Sequence, residues 1–233
     1  YLARGDAKSV GILGSGGMAR TYLEGFCSVR DITSARVFSP TKANRERFAG
    51  EMSEKLGIPV EPVNSPEESV RGADIVATCT SSMTPTLKPE WLSSGQHVTI
   101  LGPSEVDDAV LDICDVRIAQ ASEGALDAPG VERGIGHSAV AWVAGTEEER
   151  LRLPKPKKRA GGSGSAFKLP DFADMVMGRA EGRTSPEQIS FYRNLGNQGL
   201  QFASVGGLLY EKAKAAGSAR QLPTEWFLQD IRD

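Results

Sequence analysis

A short apolar run that ends in a glycine-rich turn constrains the fold of this chain more than any other feature. Residues 10–13 are Val-Gly-Ile-Leu, and residues 14–19 are Gly-Ser-Gly-Gly-Met-Ala. Tyr22, Leu23 and Phe26 follow at helical spacing. A strand, a glycine turn and a helix in this order are the context in which the pattern G-x-G-x-x-G/A is typical of dinucleotide binding.

Each small residue of this turn has a defined role in such a site. Gly14 permits the tight turn, Gly16 lets the backbone approach a pyrophosphate, and Ala19 lets the helix pack on the strand. The helix then presents its unpaired N–H groups and the positive end of its dipole to the phosphates. The alternative, a glycine-rich turn without a ligand, is weaker because a strand and a helix flank the turn. We expect these residues to contact the dinucleotide: Gly14, Ser15, Gly16, Gly17, Met18 and Ala19.

The composition is that of an ordinary globular protein, and it favours neither nucleic acid nor a membrane as a partner. Of the 233 residues, 39% are hydrophobic and 24% are charged, and the length allows one large domain or two small ones. The net charge of −3 gives no general attraction to nucleic acid or to an acidic membrane. The sequence contains no run of about 18 apolar residues, so it predicts no membrane span. Basic residues within 155–159 resemble a nucleic-acid patch, but their Pro, Gly and Ser neighbours favour a solvated loop.

The cysteines and histidines do not form a metal-binding pattern. Cys27, Cys79 and Cys114 are far apart and odd in number, and His97 and His137 are the only histidines. Because there is no Cys-x-x-Cys pair, we expect no zinc or other metal. Reduced core thiols suit a cytoplasmic protein.

Apolar runs alternate with helical segments after the glycine turn. Five further strands are predicted, at residues 35–38, 58–60, 74–78, 97–101 and 116–119. This alternation predicts an α/β fold, a Rossmann-type doubly wound parallel sheet. We assign residues 5–180 to a dinucleotide-binding domain.

The end of the second predicted strand bears on the choice of cofactor. A site for NAD usually carries Asp or Glu here, because the carboxylate binds the ribose hydroxyls. This chain has Ser39 instead, followed by Pro40, Thr41 and, further along, Arg45. Hydroxyls and cations suit a 2′-phosphate, so we predict that these four residues meet the adenosine ribose and that NADP is preferred to NAD. The alternative is that Lys42 and Arg45 are solvated residues of the next helix.

Polar and small residues follow the fourth and fifth predicted strands. Because ligands of open α/β sheets bind outside the carboxyl ends of strands, Thr80, Ser81, Leu101 and Gly102 are candidate cofactor contacts. Hydroxyl-rich loops there can hold ribose or the nicotinamide amide. Ordinary turn chemistry explains any single one of these residues about equally well.

The last part of the chain carries a second helical pattern. Residues 185–188, Ser-Pro-Glu-Gln, match a capping box with Pro at the first helical position, and Ile189 and Tyr192 follow at helical spacing. We therefore predict a helix that starts at residue 185 and ends at Gly217, within a C-terminal helical segment of residues 181–233. Small residues along it indicate close packing of another helix or, as the weaker alternative, close approach of a cofactor.

Three stretches resemble the ornithine cyclodeaminase/mu-crystallin family. They are residues 14–20 (Gly-Ser-Gly-Gly-Met-Ala-Arg), 70–76 (Val-Arg-Gly-Ala-Asp-Ile-Val) and 182–189 (Gly-Arg-Thr-Ser-Pro-Glu-Gln-Ile). Their order and spacing carry the resemblance, which covers nearly the whole chain apart from residues 155–165. The resemblance implies hydride transfer between NADP or NAD and the α-carbon of a small amino or imino acid, usually in a homodimer. It also implies that the C-terminal helices join a second domain for dimerisation and substrate binding.

Members of this family are longer than this chain. We expect the upstream substrate and dimerisation domain to be absent from the chain. The residues that bind the substrate carboxylate would then precede Tyr1.

The resemblance also separates the possible reactions. Ser104 stands where cyclodeaminases carry a catalytic Asp, and the mu-crystallin branch is similar in having Ser there and in preferring NADPH. An imino-acid reductase or amino-acid dehydrogenase is therefore favoured over an ornithine cyclodeaminase, and a cofactor-binding protein without turnover is a third possibility. Ser104 and Asp108 are the catalytic candidates, with Glu105 and Asp107 as nearby carboxylates. Two more residues match family positions that line the cofactor and substrate pocket, Asn194 and Leu195.

Overall fold

A parallel sheet forms the framework of the computed structural model, which describes residues 1–102, 104–120, 169–194, 199–218 and 220–227. Its strands are β1 (Ser9–Leu13), β2 (Ser34–Phe38), β3 (Val60–Pro62), β4 (Ile75–Thr78), β5 (His97–Ile100), β6 (Val116–Ala119) and β7 (Ser190–Arg193). They lie in the order β3-β2-β1-β4-β5-β7-β6, and every neighbouring pair is parallel. The predicted Rossmann-type α/β fold is confirmed.

Helices alternate with these strands along the chain. They are α1 (Gly17–Val29), α2 (Lys42–Leu56), α3 (Pro66–Val70), α4 (Asp108–Asp112), α5 (Phe172–Val176) and α6 (Gly199–Ala215). Two short 3₁₀ turns occupy Pro89–Trp91 and Thr224–Phe227. None of the helices in the described part of the chain has the length and apolar character needed to cross a bilayer.

Two hydrophobic clusters cover the two faces of the sheet. Ile12 of β1 packs in one cluster with Leu23 of α1 and Phe48 of α2. Leu13, the next residue of β1, lies in the other cluster with Val70 of α3. Successive side chains of a strand point to opposite faces, so helices on both sides bury the strand completely. This explains why β4 and β5 are buried along their whole length.

Local sequence signals account for several of the helix ends. At the start of α3, the Ser65 hydroxyl accepts the Glu68 N–H, and Pro66 occupies the first helical position. At the end of α2, Gly57 adopts the left-handed conformation with a φ of 68°. The strand predicted at residues 58–60 is displaced, because β3 begins at Val60.

The start predicted for this helix at residue 185 is wrong, because a strand follows this stretch; the predicted end at Gly217 lies two residues beyond the end of α6. The Ser185 hydroxyl accepts the Glu187 N–H, and the Gln188 side chain accepts the Ser185 N–H. These capping-type bonds close a turn instead of starting a helix. Ser190–Arg193 then enter the sheet as β7, between β5 and β6. Residues 190–193 are therefore part of the sheet and not of a C-terminal helical segment.

The chain divides into two compact units, Tyr1–Gly196 and Asn197–Asp233. The first contains the whole sheet and helices α1 to α5, and the second contains α6 and the 3₁₀ turn after it. The predicted boundary at residue 181 precedes β7, whereas the division of the structure follows it. The basic stretch at residues 155–159 and Leu195 lie outside the described residues.

Candidate dinucleotide and substrate site

The strand registers place the candidate residues along one edge of the sheet. Leu13 of β1 pairs with Phe38 of β2 on one side and with Thr78 of β4 on the other. Thr78 pairs with Ile100 of β5, which pairs with Arg193 of β7. The residues that follow this line lie side by side at the carboxyl ends of the strands, where open α/β sheets bind ligands. These are residues 14–19, 39–41, 79–82, 101–102 and 194.

Gly14 is required by the packing of the protein itself. Its φ is +107°, a conformation that other residues rarely adopt. A Cβ at this position would lie 2.2 Å from the carbonyl oxygen of Cys79, just after β4. The Gly14 N–H donates to the carbonyl of Phe38 at 2.8 Å, which links the turn to the end of β2. The turn is therefore held closely between its two neighbouring strands.

Gly16 and Gly17 are exposed, and the fold does not require glycine at either position. A Cβ on either residue would meet no protein atom within 4 Å. α1 begins at this point without a side-chain cap and without an acidic residue in its first turn. Its first N–H groups thus carry no side-chain partner at the edge of the sheet. An uncapped helix start behind a turn with free space fits the predicted pyrophosphate.

Other residues of α1 shape the turn from behind. Ala19 is fully buried in the sheet cluster, as close packing of α1 requires, while Met18 is half exposed. The Arg20 guanidinium donates to the carbonyls of Ser15 at 2.8 Å and Gly16 at 3.1 Å. It also pairs with Glu51 of α2. Arg20 therefore fixes the carbonyls of the turn on the side away from the open space.

At the end of β2, Ser39 is only 8% exposed and lies beside a buried guanidinium. Arg45 is only 8% exposed, and it donates to the Ser39 carbonyl and to the Asn64 side chain, both at 3.0 Å. The interpretation of Arg45 as a solvated residue is therefore wrong, because the guanidinium supports the Ser39 backbone from inside. Pro40 and Thr41 are exposed, and the Thr41 side chain makes no capping bond at the start of α2.

A buried carboxylate joins the loops that follow β4 and β5. Glu105 is 0% exposed. Its Oε1 accepts the N–H and the hydroxyl of Thr80, at 2.6 and 2.7 Å. Its Oε2 accepts the Thr78 hydroxyl at 2.7 Å and the N–H groups of Leu101 and Gly102 at 3.0 and 2.6 Å. We call these five residues the Glu105 cluster.

Three of the predicted cofactor contacts, Thr80, Leu101 and Gly102, belong to the Glu105 cluster. The Thr80 hydroxyl donates to Glu105 and accepts the Ser82 N–H at 3.2 Å, so its proton is already used within the protein and the hydroxyl could only accept from a ligand. Ser81, in the same loop, is exposed, so a ligand can reach it. Glu105 itself is too deeply buried to replace the catalytic Asp of cyclodeaminases.

Two acidic residues follow Ser104 at the start of α4, Asp107 and Asp108. Asp107 is the N-cap of α4, and its side chain accepts the Val110 N–H at 3.3 Å. Asp108 lies in the first turn of α4 and is partly exposed, as is Ser104. Ser104 and Asp108 therefore remain the catalytic candidates.

Asn194 connects β7 to α1 beneath the same edge. Its side-chain amide donates to the hydroxyl of Tyr22, which is partly buried between the helix and the sheet. Burial raises the pKa of Tyr22 to about 12, so the phenol is neutral at physiological pH. This bond ties the helix that starts at the glycine turn to the strand end next to β5.

The thiols of the described residues form no disulfides, and burial keeps them protonated. Cys27, Cys79 and Cys114 form no disulfide. Burial raises the pKa values of Cys79 and Cys114 to about 12. In the described part of the chain, no group of three or more His, Cys, Asp or Glu side chains is arranged to hold a metal ion.

The family model of the ornithine cyclodeaminase/mu-crystallin family matches residues 1–217. This chain belongs to that family. The resemblance carried by the three sequence stretches is thereby confirmed, and so is the expectation of a dinucleotide-binding fold that the family shares.

Known members of the ornithine cyclodeaminase/mu-crystallin family are similar over most of this chain. A putative dehydrogenase of Rhizobium meliloti is 31% identical over 218 residues, which are 92% of this chain and 59% of the relative. A Delta(1)-pyrroline-2-carboxylate reductase of Bacillus cereus is 28% identical and covers 95% of this chain and 62% of its own. The structure of Thermococcus litoralis Delta(1)-pyrroline-2-carboxylate reductase, in complex with NADH and L-proline, has a TM-score of 0.69 at 27% identity, covering 95% of this chain and 63% of that chain. This chain thus spans about three fifths of the length of these relatives.

The roles of three residues at the candidate site, Arg20, Tyr22 and Glu105, are not evident from the sequence. Arg20 and Tyr22 lie on a helix whose apolar spacing predicts only that it packs on the sheet. That spacing does not indicate that Arg20 bonds to Ser15 or Tyr22 to Asn194. The sequence indicates only that Glu105 is a carboxylate near Ser104, which could carry a proton. The one available signal was the pair of hydroxyls at Thr78 and Thr80, which alternate at the end of a buried strand and need buried partners.

Proposed function

We propose that this protein is an NAD(P)H-dependent oxidoreductase that acts on the C=N or CH–NH bond of a small amino or imino acid. The observation that carries this proposal is the uncapped start of α1, which lies behind two open glycines at the carboxyl edge of the sheet. The similarity to the Bacillus cereus reductase and to the Thermococcus litoralis reductase with NADH and L-proline supports imine reduction over loss of ammonia.

The chain's own residues bind and orient, while a bound nicotinamide supplies or accepts the hydride. Residues 14–19 hold the pyrophosphate, and residues 39–41 meet the adenosine ribose, with Arg45 as their internal support. The nicotinamide half lies against the loops after β4, β5 and β7. Ser104 or Asp108 exchanges a proton with the substrate nitrogen. The proposed contacts of the nicotinamide half are Thr80, Ser81, Leu101, Gly102, Asn194 and Leu195.

We propose NADPH as the preferred cofactor because the end of β2 lacks a carboxylate. Asp or Glu at this position would bind the ribose hydroxyls of NAD and repel a 2′-phosphate. Ser39 presents no negative charge, and the free start of α2 at Thr41 adds N–H groups to the same place. A 2′-phosphate would receive charge-assisted hydrogen bonds there.

Quenching of protein fluorescence by NADPH and NADH tests the cofactor assignment. We expect NADPH to bind about tenfold more tightly, the size of one favourable phosphate contact. The variant Ser39→Asp should reverse the order, because it introduces the carboxylate that NAD sites carry. Tighter binding of NADH by the wild-type protein would contradict the preference. Binding of neither dinucleotide would overturn the assignment of the glycine turn.

Turnover assays separate the reductase from its alternatives. We expect oxidation of NADPH when Delta(1)-pyrroline-2-carboxylate or a related cyclic imine is added. Release of ammonia and proline from ornithine in the presence of NAD would show cyclodeamination instead. Tight cofactor binding without turnover on either substrate would show a binding protein.

Assembly and cellular location complete the proposal. We propose a homodimer, as in the family, and light scattering of the purified protein measures its mass. The three unpaired thiols support a cytoplasmic location.

A further inference from the structure

Glu105 is a fully buried carboxylate in a protein whose other carboxylates are mostly on the surface. Removing a carboxylate from water is strongly unfavourable unless hydrogen bonds replace those lost. Here five donors converge on the two oxygens, at distances from 2.6 to 3.0 Å. No cation is among these donors, so the burial is supported by hydrogen bonds alone.

The donors come from two separate loops at the candidate site. Thr78 and Thr80 belong to the end of β4, while Leu101 and Gly102 follow β5. The backbone of Glu105 adds a third segment, because its carbonyl accepts the Thr86 N–H at 2.8 Å. One residue thus sets the relative positions of three stretches of chain at the carboxyl edge of the sheet.

Gly102 packs directly on the Glu105 side chain. A Cβ at Gly102 would lie 3.1 Å from Cγ and 3.3 Å from Cδ of Glu105, closer than ordinary contacts. The loop after β5 therefore rests on the carboxylate through its backbone. Any movement of Glu105 would move Leu101 and Gly102, both proposed cofactor contacts.

We propose that Glu105 is a positioning residue, which holds the loops after β4 and β5 in the arrangement that receives the nicotinamide half of the cofactor. This inference rests on the proposed function. Glu105 has no contact with solvent, so it acts through Thr80, Leu101 and Gly102. The glycine turn and the end of β2 make no hydrogen bond to Glu105 among the described residues, so the adenosine half should bind independently of it.

The variant Glu105→Gln tests this role. In either orientation of the new amide, its NH₂ group faces at least two hydrogen-bond donors and cannot accept from them. We would measure two affinities for each protein. The first is for NADPH or NADH, whichever the wild-type protein binds more tightly. The second is for the corresponding ADP-ribose, which lacks nicotinamide and keeps the 2′-phosphate in the case of NADPH. We expect dinucleotide affinity to fall about tenfold or more, and ADP-ribose affinity to change less than about twofold. Equal losses for both ligands, or no loss for either, would overturn the inference.

Asp74→Asn is the matched control. Asp74 accepts the N–H groups of Lys8 and Ser9, both at 2.9 Å, and the Ser9 hydroxyl at 2.8 Å, so it too joins two segments. It directly precedes β4 and lies at the opposite edge of the sheet. Its amide variant should lower the melting temperature and leave both affinities unchanged. Loss of dinucleotide affinity in Asp74→Asn as well would show a general structural effect and would count against Glu105.

Thr78→Val provides a second variant in case Glu105→Gln does not fold. Thr78 is fully buried and nearly isosteric with Val, and the substitution removes one donor from Oε2. It should weaken the dinucleotide about threefold or more and spare ADP-ribose. A wild-type protein that binds neither ligand would refute the proposed function itself, whereas binding without this selective loss would refute only the role of Glu105.

Discussion

Gly14 and Gly16 lie in the same turn, but their surroundings differ. At Gly14 the backbone is left-handed, and a side chain would collide with the strand end at Cys79. At Gly16 a side chain would point into free space. Glycine therefore serves folding at Gly14, whereas at Gly16 we propose that it serves the approach of a ligand.

Two substitutions separate these roles. Gly14→Ala should destabilise the protein by about 2 kcal/mol or more, because it combines backbone strain with a collision. Gly16→Ser should leave the melting temperature unchanged, since Ser is a good N-cap, and should weaken dinucleotide binding about tenfold. Thermal denaturation and fluorescence titration of both variants check this. A Gly16→Ser variant that unfolds early but binds normally would contradict the assignment.

Substitutions at two neighbouring carboxylates, Asp107 and Asp108, test which group is the proposed proton carrier. Asp108→Asn should lower kcat about a hundredfold at neutral pH, because an amide cannot exchange the proton. Asp107→Asn is the control, since Asn caps a helix as well as Asp does, and its kcat should be unchanged. If Asp108→Asn keeps full activity and Ser104→Ala loses it, Ser104 is the proton carrier.

At the scale of elements, one arginine joins four segments at the amino edge of the sheet. The Arg183 guanidinium donates to the Leu2 carbonyl at 2.6 Å, to the Gln188 carbonyl at 2.5 Å and to the Gln96 carbonyl at 3.1 Å. It also donates to the Ser190 hydroxyl at 2.8 Å. These bonds fix the turn before β7 against the start of β5, so β7 can insert between β5 and β6.

Removal of this side chain should weaken the sheet measurably. We expect Arg183→Met to lower the free energy of unfolding by about 3 kcal/mol, because several buried carbonyls lose a charged donor. Arg179→Met is the control: its exposed ion pair with Asp174 should contribute less than about 1 kcal/mol. Urea denaturation of both variants measures the difference. Similar losses for the two would show that Arg183 has no special role.

At the scale of the whole molecule, the buried His97 links folding to pH. His97 bonds to the Ser190 hydroxyl at 2.9 Å between β5 and β7. Burial, followed by the charge of Arg183, lowers the pKa of His97 from 6.5 to about 3. Between these two values the unfolded chain binds a proton that the folded protein does not. The contribution of His97 to stability is therefore complete above about pH 6.5 and is lost as the pH falls towards 3.

Acid titration of stability checks this linkage. Wild-type protein should lose up to about 1.4 kcal/mol of unfolding free energy per pH unit through His97 in that window. His97→Asn should show a shallower slope, even if it is less stable at neutral pH. Ser190→Ala loses the same hydrogen bond but keeps the histidine, so its slope should remain that of the wild type. Parallel slopes for all three proteins would contradict the assignment.

Most of the sheet was predictable because its strands are apolar and its turns carry strong local signals. β7 was not, since Ser190 and Arg193 interrupt its apolar character and Ser185 to Gln188 imitate a helix start. Its place in the sheet depends on distant partners such as Arg183. The same holds for the site: glycine positions follow local rules, whereas the role of Glu105 arises only when two strand ends meet.

The free space beside Gly16 has an evolutionary consequence. Any side chain can appear there without disturbing the core, so selection for a folded protein does not preserve glycine at this position. If Gly16 admits the proposed dinucleotide, a descendant of this chain can lose that ligand through one substitution that leaves the fold intact, and persist as a stable, inactive homologue. Gly16, rather than overall similarity, is the residue to inspect when activity is transferred from one sequence to another.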